Sequence, residues 1–237
     1  MDRLELLGLP LDPVDFEGAL ARIEGFLRTP GLDPVVTLNP ELVVRARRDP
    51  ELARAVRRAS LVTPDGVGIL WAARRLYGTR LPERVTGVEL TEALLERGGP
   101  GLSVFFLGGR PGVAERAAQA AHARYRVRVA GVHHGYFEDE GAVVQRVREA
   151  APDLLLVGLG ERQEKFIERN RDALGARVAI GVGGTLDVLA GVARRAPAWT
   201  RRLGLEWAWR VGTDPRRWRR GLRLVVFWYL VEKSRRR

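Results

Sequence analysis

The chain of 237 residues contains no cysteine, which excludes a disulfide framework and any thiolate metal site. Only three histidines are present. Two of them, His133 and His134, are adjacent and on a strand would point opposite ways, poor geometry for one metal. No apolar run approaches the ~20 residues needed to span a bilayer; the longest late one, residues 224–231, has 8. Residues 1–16 carry Asp2, Glu5, Asp12 and Asp15 rather than a basic-then-apolar pattern, so no secretory signal is expected. No glycine loop reads G-x-G-x-x-G, and none is followed by a Walker lysine. These absences imply a cytoplasmic protein that does not span a membrane.

Apolar residues make up 46% of the chain and charged ones 29%, enough for one generous domain and too apolar for disorder. The net charge of +11 is unevenly placed: residues 194–237 hold 14 basic and 3 acidic side chains, while residues 1–193 hold 26 of each. The same tail carries Trp199, Trp207, Trp209, Trp218 and Trp228, five of the six tryptophans. Guanidinium groups attract anionic headgroups and indoles settle at the interface. The tail also suits a phosphorylated polymer, or a solvated basic helix with its tryptophans in the core. The apolar stretch from Leu222 through Val231 favours a membrane surface over nucleic acid.

In the body, short apolar runs alternate with helical periodicity. The pattern predicts strands near residues 4–7, 35–38, 61–63, 103–107, 127–130, 153–158 and 178–182. Helices are predicted over 15–27, 40–59 with a break near Asp49-Pro50, 66–77, 88–97, 112–124, 140–150 and 162–174. This is α/β: a single Rossmann-like domain with a mostly parallel sheet and helices on both faces. The reading divides the chain into an α/β body, 1–195, and a basic helical C-terminal appendage, 196–237.

Ligands in such sheets bind beyond the carboxyl ends of the strands. There the sequence gathers Thr37-Leu38-Asn39-Pro40-Glu41, Thr63-Pro64-Asp65-Gly66, Gly108-Gly109-Arg110, Gly135-Tyr136-Phe137, Gly158-Leu159-Gly160 and Gly183-Gly184-Thr185. Several glycine turns followed by helix starts make a nucleotide diphosphate site plausible; each alone could be a tight turn. Asp65 has two equal readings, a helix N-cap and a general base that deprotonates a sugar hydroxyl. Thr37 and Asn39 could hold that hydroxyl or form a turn into Pro40. Asp187 could accept from a ribose or base, or favour a helix start by its charge. Gln163 could face the ligand or open a helix, and His133 and His134 read as polar loop residues near a ligand.

The ordered set of motifs resembles the WecG/TagA/CpsF glycosyltransferases, glycosyltransferase family 26. Thr37-Leu38-Asn39-Pro40-Glu41, Thr63-Pro64-Asp65-Gly66-Val67-Gly68 and Glu83-Arg84-Val85-Thr86-Gly87 carry it. It continues through Phe106-Leu107-Gly108-Gly109, Gly135-Tyr136-Phe137, Gln163-Glu164-Lys165, Gly181-Val182-Gly183-Gly184-Thr185-Leu186-Asp187 and Gly204-Leu205-Glu206-Trp207. The resemblance implies a hexosyltransferase that inverts the anomeric centre and uses no metal or other cofactor. It would move an N-acetylmannosamine-type sugar from a UDP-sugar donor to polyprenyl-diphosphate-linked N-acetylglucosamine in cell-surface polysaccharide synthesis.

By the same resemblance, Asp65 is the base and Gln163 lies near the reacting centre. Thr37, Asn39 and Arg84 bind the acceptor. Gly66, Gly108, Gly109, Tyr136, Gly158, Gly160, Gly183, Gly184, Thr185 and Asp187 surround the UDP-sugar. Arg210, Arg217 and Arg220 of the appendage reach the diphosphates, with the protein peripheral on the cytoplasmic face of the membrane. The family's self-association leaves a homo-oligomer open, and nucleic acid is not an expected partner. One departure concerns Gln163: the family pattern G-x-P-[KR]-Q-E appears here as Gly160-Glu161-Arg162-Gln163-Glu164, a residue shorter and without proline. Two other readings compete: another nucleotide-sugar or dinucleotide-dependent α/β enzyme, and a basic-tailed nucleic-acid-binding protein.

Overall fold

The computed structural model describes residues 3–193 and 218–235, with side chains in the second stretch described from Gly221. A hairpin of β1 (Leu4–Leu6) and β2 (Leu9–Leu11) comes first, paired antiparallel. Leu7 and Gly8 turn it with φ of 53° and 85°, the two positive values a tight hairpin needs. The sequence pattern missed β2, which is three residues long and has Pro10 at its centre.

Six strands make the main sheet: β3 (Asp33–Leu38), β4 (Leu61–Pro64), β5 (Ser103–Gly108), β6 (Arg128–His133), β7 (Leu154–Gly158) and β8 (Val178–Gly181). Their order is β4-β3-β8-β7-β5-β6, and every pairing is parallel. The central strands are continuous apolar runs because helices cover both faces. Leu154, Leu155, Leu156 and Val157 are all fully buried.

One face carries α1 (Phe16–Phe26), α5 (Gly87–Gly98), α6 (Val113–Tyr125) and α9 (Thr185–Leu189), packed on Val35, Val104, Phe106 and Ile180. Along the opposite face, α2 (Pro40–Ala46), α3 (Pro50–Arg57) and α4 (Val67–Tyr77) pack on Val36, Leu38 and Val62. There too, α7 (Glu140–Ala150) and α8 (Gln163–Arg169) cover Phe105, Leu155 and Ala179. Each large apolar side chain removed from water in this way contributes about 1.5–3 kcal/mol before entropy is counted.

The break expected near Asp49-Pro50 separates α2 from α3. Asn39 and Asp49 cap the two helices, accepting from Leu42 N at 2.9 Å and Leu52 N at 3.0 Å, with proline in each first turn. The helix expected over 162–174 is shorter. Asn170 is its C-cap: its backbone N–H and its Nδ2 both donate to the Phe166 carbonyl, at 3.2 and 2.9 Å, and α8 ends at Arg169. β6 is longer than expected and runs to His133. His133 is therefore the last residue of an edge strand rather than a loop residue, held there by pairing with Leu107.

The last helix, α10 (Trp218–Arg235), docks on the α2–α4 side. It buries Phe227 and Val231 in that core and is tied by Arg75 to Glu232. Its Trp228 is 56% exposed, so this tryptophan is not folded into the core. Trp199, Trp207 and Trp209 lie outside the described residues, as does the side chain of Trp218.

Candidate active site

Adjacent strands β7 and β5 send their following helices to opposite faces, α8 to one and α6 to the other. Such a divergence opens a crevice at the carboxyl edge of a sheet. The turns bordering it are interlocked. Gly109 N donates to Gly158 O at 3.2 Å, and Gly135 N to Gly109 O at 2.8 Å. Gly108 has φ of 140°, and a Cβ there would lie 2.4 Å from the Gly158 carbonyl oxygen, so no other residue fits. Gly160 starts a short 3-10 turn leading into α8. Tyr136 is 69% exposed beside this cluster, and Arg162 donates to the Gly135 carbonyl at 3.0 Å.

A second group forms where β3 and β4 end side by side, with Thr37 opposite Thr63. Asp65 follows β4; its N–H donates to the Leu38 carbonyl at 2.8 Å, and its side chain is half-buried. The helix that follows is capped by Gly66, with φ of 95° and no side-chain cap. Of the two sequence readings of Asp65, the N-cap is therefore excluded. Val85 N donates to Pro64 O at 2.8 Å, which brings Arg84 and the start of α5 to the same edge. Thr86 caps α5, with its hydroxyl 2.9 Å from Glu89 Oε2, and Arg84 lies 3.8 Å from the same carboxylate. A methyl group on Gly87 would sit 3.4 Å from Thr37 Oγ1. Thr37, Asp65 and Arg84 thus come together around the tips of two neighbouring strands. Asn39 stands beside them, its side-chain oxygen engaged in capping α2.

Between the two groups lies β8. Gln163 is buried at the start of α8, and its Oε1 accepts from Gly183 N at 3.0 Å. Its Nε2 donates to Glu164 Oε1 at 2.8 Å, and a Cβ on Gly181 would lie 2.7 Å from Nε2. Despite the shorter loop, Gln163 sits against the turn after β8. Thr185 is buried, with its hydroxyl donated to the Val182 carbonyl at 2.8 Å. Gly184 precedes α9 as its N-cap, and Asp187 lies half-buried in that helix's first turn. With strands about 4.8 Å apart, the edge from Asp65, just after β4, to Gly108 at the end of β5 spans four strand steps, roughly 19 Å.

Glu164, which composition alone would expose, is buried. Burial pushes its carboxyl above the usual glutamate range, opposed by the hydrogen bond from Gln163 and by Arg45. Its Oε2 is enclosed without a hydrogen-bond partner. Sequence reasoning also missed the contact of α10 with this region. Arg223 pairs with Glu41, two residues beyond Asn39, and with Glu161 at 2.6 Å. No local pattern signals a pair 182 residues apart. Arg210 and Arg217 lie outside the described residues, as does the side chain of Arg220. Among the described residues, no group of three or more His, Cys, Asp or Glu side chains could hold a metal ion.

The sequence profile described as the glycosyl transferase WecG/TagA/CpsF family matches residues 4–237. The chain belongs to that family. A Bacillus spizizenii protein is 33% identical over 236 residues, covering 96% of this chain and 91% of its own. A Bacillus subtilis protein is 32% identical over 203 residues (84% and 79% coverage), and one from Staphylococcus aureus 31% over 240 (99% and 94%). All three are named N-acetylglucosaminyldiphosphoundecaprenol N-acetyl-beta-D-mannosaminyltransferase. The glycosyltransferase described here has the single α/β domain expected of the resemblance. No helix among its described residues is long and apolar enough to cross a membrane.

Proposed function

We propose that the enzyme transfers an N-acetylmannosamine-type sugar from a UDP donor to polyprenyl-diphosphate-linked N-acetylglucosamine, with inversion and without a metal. The observation that carries this reading is the convergence of Thr37, Asp65 and Arg84 at the tips of β3 and β4, on the same sheet edge as the glycine turns after β5, β7 and β8. The names of the relatives supply the sugar and the lipid diphosphate.

In this reading the nucleotide lies along the glycine turns, and the acceptor sugar meets Thr37, Asn39 and Arg84. Asp65 takes the proton of the acceptor hydroxyl as its oxygen attacks the anomeric carbon. The bond to UDP breaks on the opposite face, and UDP leaves with the electron pair. Negative charge grows on the diphosphate. Backbone N–H groups at the turns, helix starts and arginines stabilise it, with Arg210, Arg217 and Arg220 as the appendage's share. Gln163, held by Gly183, orients the turn nearest the reacting centre.

The enzyme works as a peripheral protein on the cytoplasmic membrane face. The outward side of α10 supports this: Leu222, Val225, Trp228 and Tyr229 are each more than half exposed on a helix of a strongly basic tail. Incubating the protein with a panel of UDP-sugars and a short-chain polyprenyl-diphosphate N-acetylglucosamine, read by mass spectrometry, tests the reaction. Addition of one N-acetylhexosamine from UDP-N-acetylmannosamine is expected; no product from any donor refutes it.

A further inference from the structure

Between α2, the start of α8 and α10 lies a groove of about 540 Å³. We propose that it binds the prenyl diphosphate portion of the acceptor, with the diphosphate on its cations and the first isoprene units along α10. This rests on the reading above that the acceptor is a lipid diphosphate, and it adds a site separate from the sugar-binding group at Asp65.

The wall is cationic. Arg45, Arg48, Arg162, Lys165 and Arg223 line it against two carboxylates, Asp49 and Glu161. Carboxylates in and beside the wall hold three of these cations: Lys165 lies 2.9 Å from Asp49 and 3.7 Å from Glu51, Arg45 lies 3.8 Å from Glu161, and Arg223 joins Glu161 and Glu41. Arg162 donates to the Gly135 carbonyl instead. Arg48 is exposed and makes no side-chain ion pair among the described residues. A dianionic head suits such a set, since charge-assisted bonds from guanidinium and ammonium groups to phosphate oxygens are the strong ones.

The groove is also apolar on one side, where Leu222 and Val226 of α10 and Val44 of α2 contribute. Leu222, Val226 and Tyr229 stand at i, i+4 and i+7, so they form one stripe along the helix. Their exposures are 68%, 38% and 57%. The opposite side of α10 buries Phe227 and Val231. A cationic pocket that opens onto an apolar stripe fits an amphiphile with an anionic head, and neither a bare anion nor a neutral lipid. At its inner end Arg223 joins Glu41 at the start of α2, directly after Asn39. A diphosphate in the groove therefore leaves its attached sugar next to the strand tips.

Titration of the full-length protein with farnesyl diphosphate, followed by tryptophan fluorescence, tests the site, with inorganic diphosphate and farnesol as parallel arms. Farnesyl diphosphate is expected to bind at least about tenfold more tightly than either part alone. Arg48→Glu should weaken it by about tenfold. Leu222→Gln should weaken it by about threefold without changing inorganic diphosphate binding. Both positions are exposed, so neither substitution disturbs the core. Inorganic diphosphate binding as tightly as farnesyl diphosphate, or two variants that bind like the parent, overturns the proposal. Transfer assays separate it from the functional reading. Normal turnover with an unchanged acceptor KM in both variants sinks the groove alone. The expected binding pattern with no turnover of any UDP-sugar upholds the groove and sinks the reaction.

Discussion

Arg75 on α4 and Glu232 on α10 form a two-point ion pair, Nε to Oε1 at 2.7 Å and Nη2 to Oε2 at 2.9 Å. The pair sits beside Phe227 and Val231, which are 2% and 0% exposed. The basic C-terminal segment is thus not simply a charged tail. It ends in a helix that adds two side chains to the core and two ion-paired residues, Glu232 and Arg223, to the surface of the body.

This arrangement predicts that α10 can be detached without unfolding the sheet. Phe227→Ala removes a buried aromatic ring, a change that costs roughly 3–5 kcal/mol where the surroundings cannot collapse. Here the helix can leave instead, so the loss should be confined to it. Hydrogen exchange in Phe227→Ala is expected to speed up across α10 and on the facing sides of α2 and α4, with β5 and β7 unchanged. Glu232→Ala should shift exchange in the same direction and less. Uniform acceleration over the whole sheet would mean that α10 is not a separable unit.

Asp65 does not cap α4, since Gly66 takes that place. Asp65→Asn should therefore leave the fold and UDP affinity intact. It should lower turnover by about 10²–10⁴-fold, the usual contribution of a positioned base. Single-turnover rates and a UDP titration check both halves. Turnover within about threefold of the parent would remove Asp65 from the base role.

Asn39 has a side-chain oxygen used for capping and an amide nitrogen that nothing else holds among the described residues. Two substitutions separate cap from acceptor contact. Asn39→Asp keeps an oxygen for the Leu42 N–H and adds favourable charge at the helix start, so stability should hold. The donor is lost, and the acceptor KM should rise. Asn39→Ala should lower stability as well, by about 1 kcal/mol. Urea midpoints with acceptor KM values for the pair decide the matter; an unchanged KM in Asn39→Asp would leave Asn39 with the cap alone.

Much of this layout was legible because it rests on local signals. The run Leu154-Leu155-Leu156-Val157 fits a strand buried on both faces, and Asp49-Pro50 combines a cap with a helix-starting proline. The Thr63-Pro64-Asp65-Gly66 turn places its acid at a strand tip from sequence alone. What escaped was set by contacts distant in sequence. β6 extends to His133 because β5 pairs with it on both sides of a bulge that leaves out Ala130, and Gly131 allows the approach, its Cβ position lying 2.5 Å from the Phe105 ring. The Arg223–Glu41–Glu161 cluster joins three segments. The appendage's arginines at positions 210 and 217 lie outside the described residues, so their role stands on the resemblance and the chemistry of the leaving group.

Glu164 looks from sequence like an ordinary first-turn acid on a solvated helix, yet it is buried with Oε2 unpartnered. Desolvation favours its neutral form and raises its pKa from the ordinary 4.5. An acid whose folded pKa is raised stabilises the fold most where both states are protonated. Above 4.5 the unfolded chain has released its proton while the folded one retains it, so this contribution declines as pH rises toward the folded value. Glutamine cannot release a proton, and its side-chain oxygen can still accept from Gln163 Nε2. Glu164→Gln is therefore expected to match or fall slightly below the parent near about pH 4 and to gain on it as pH rises from there, until the folded protein itself releases the proton. Urea denaturation of both proteins across that range gives the difference directly. A gap that stays constant with pH would show that Glu164 does not change protonation between the folded and unfolded chain.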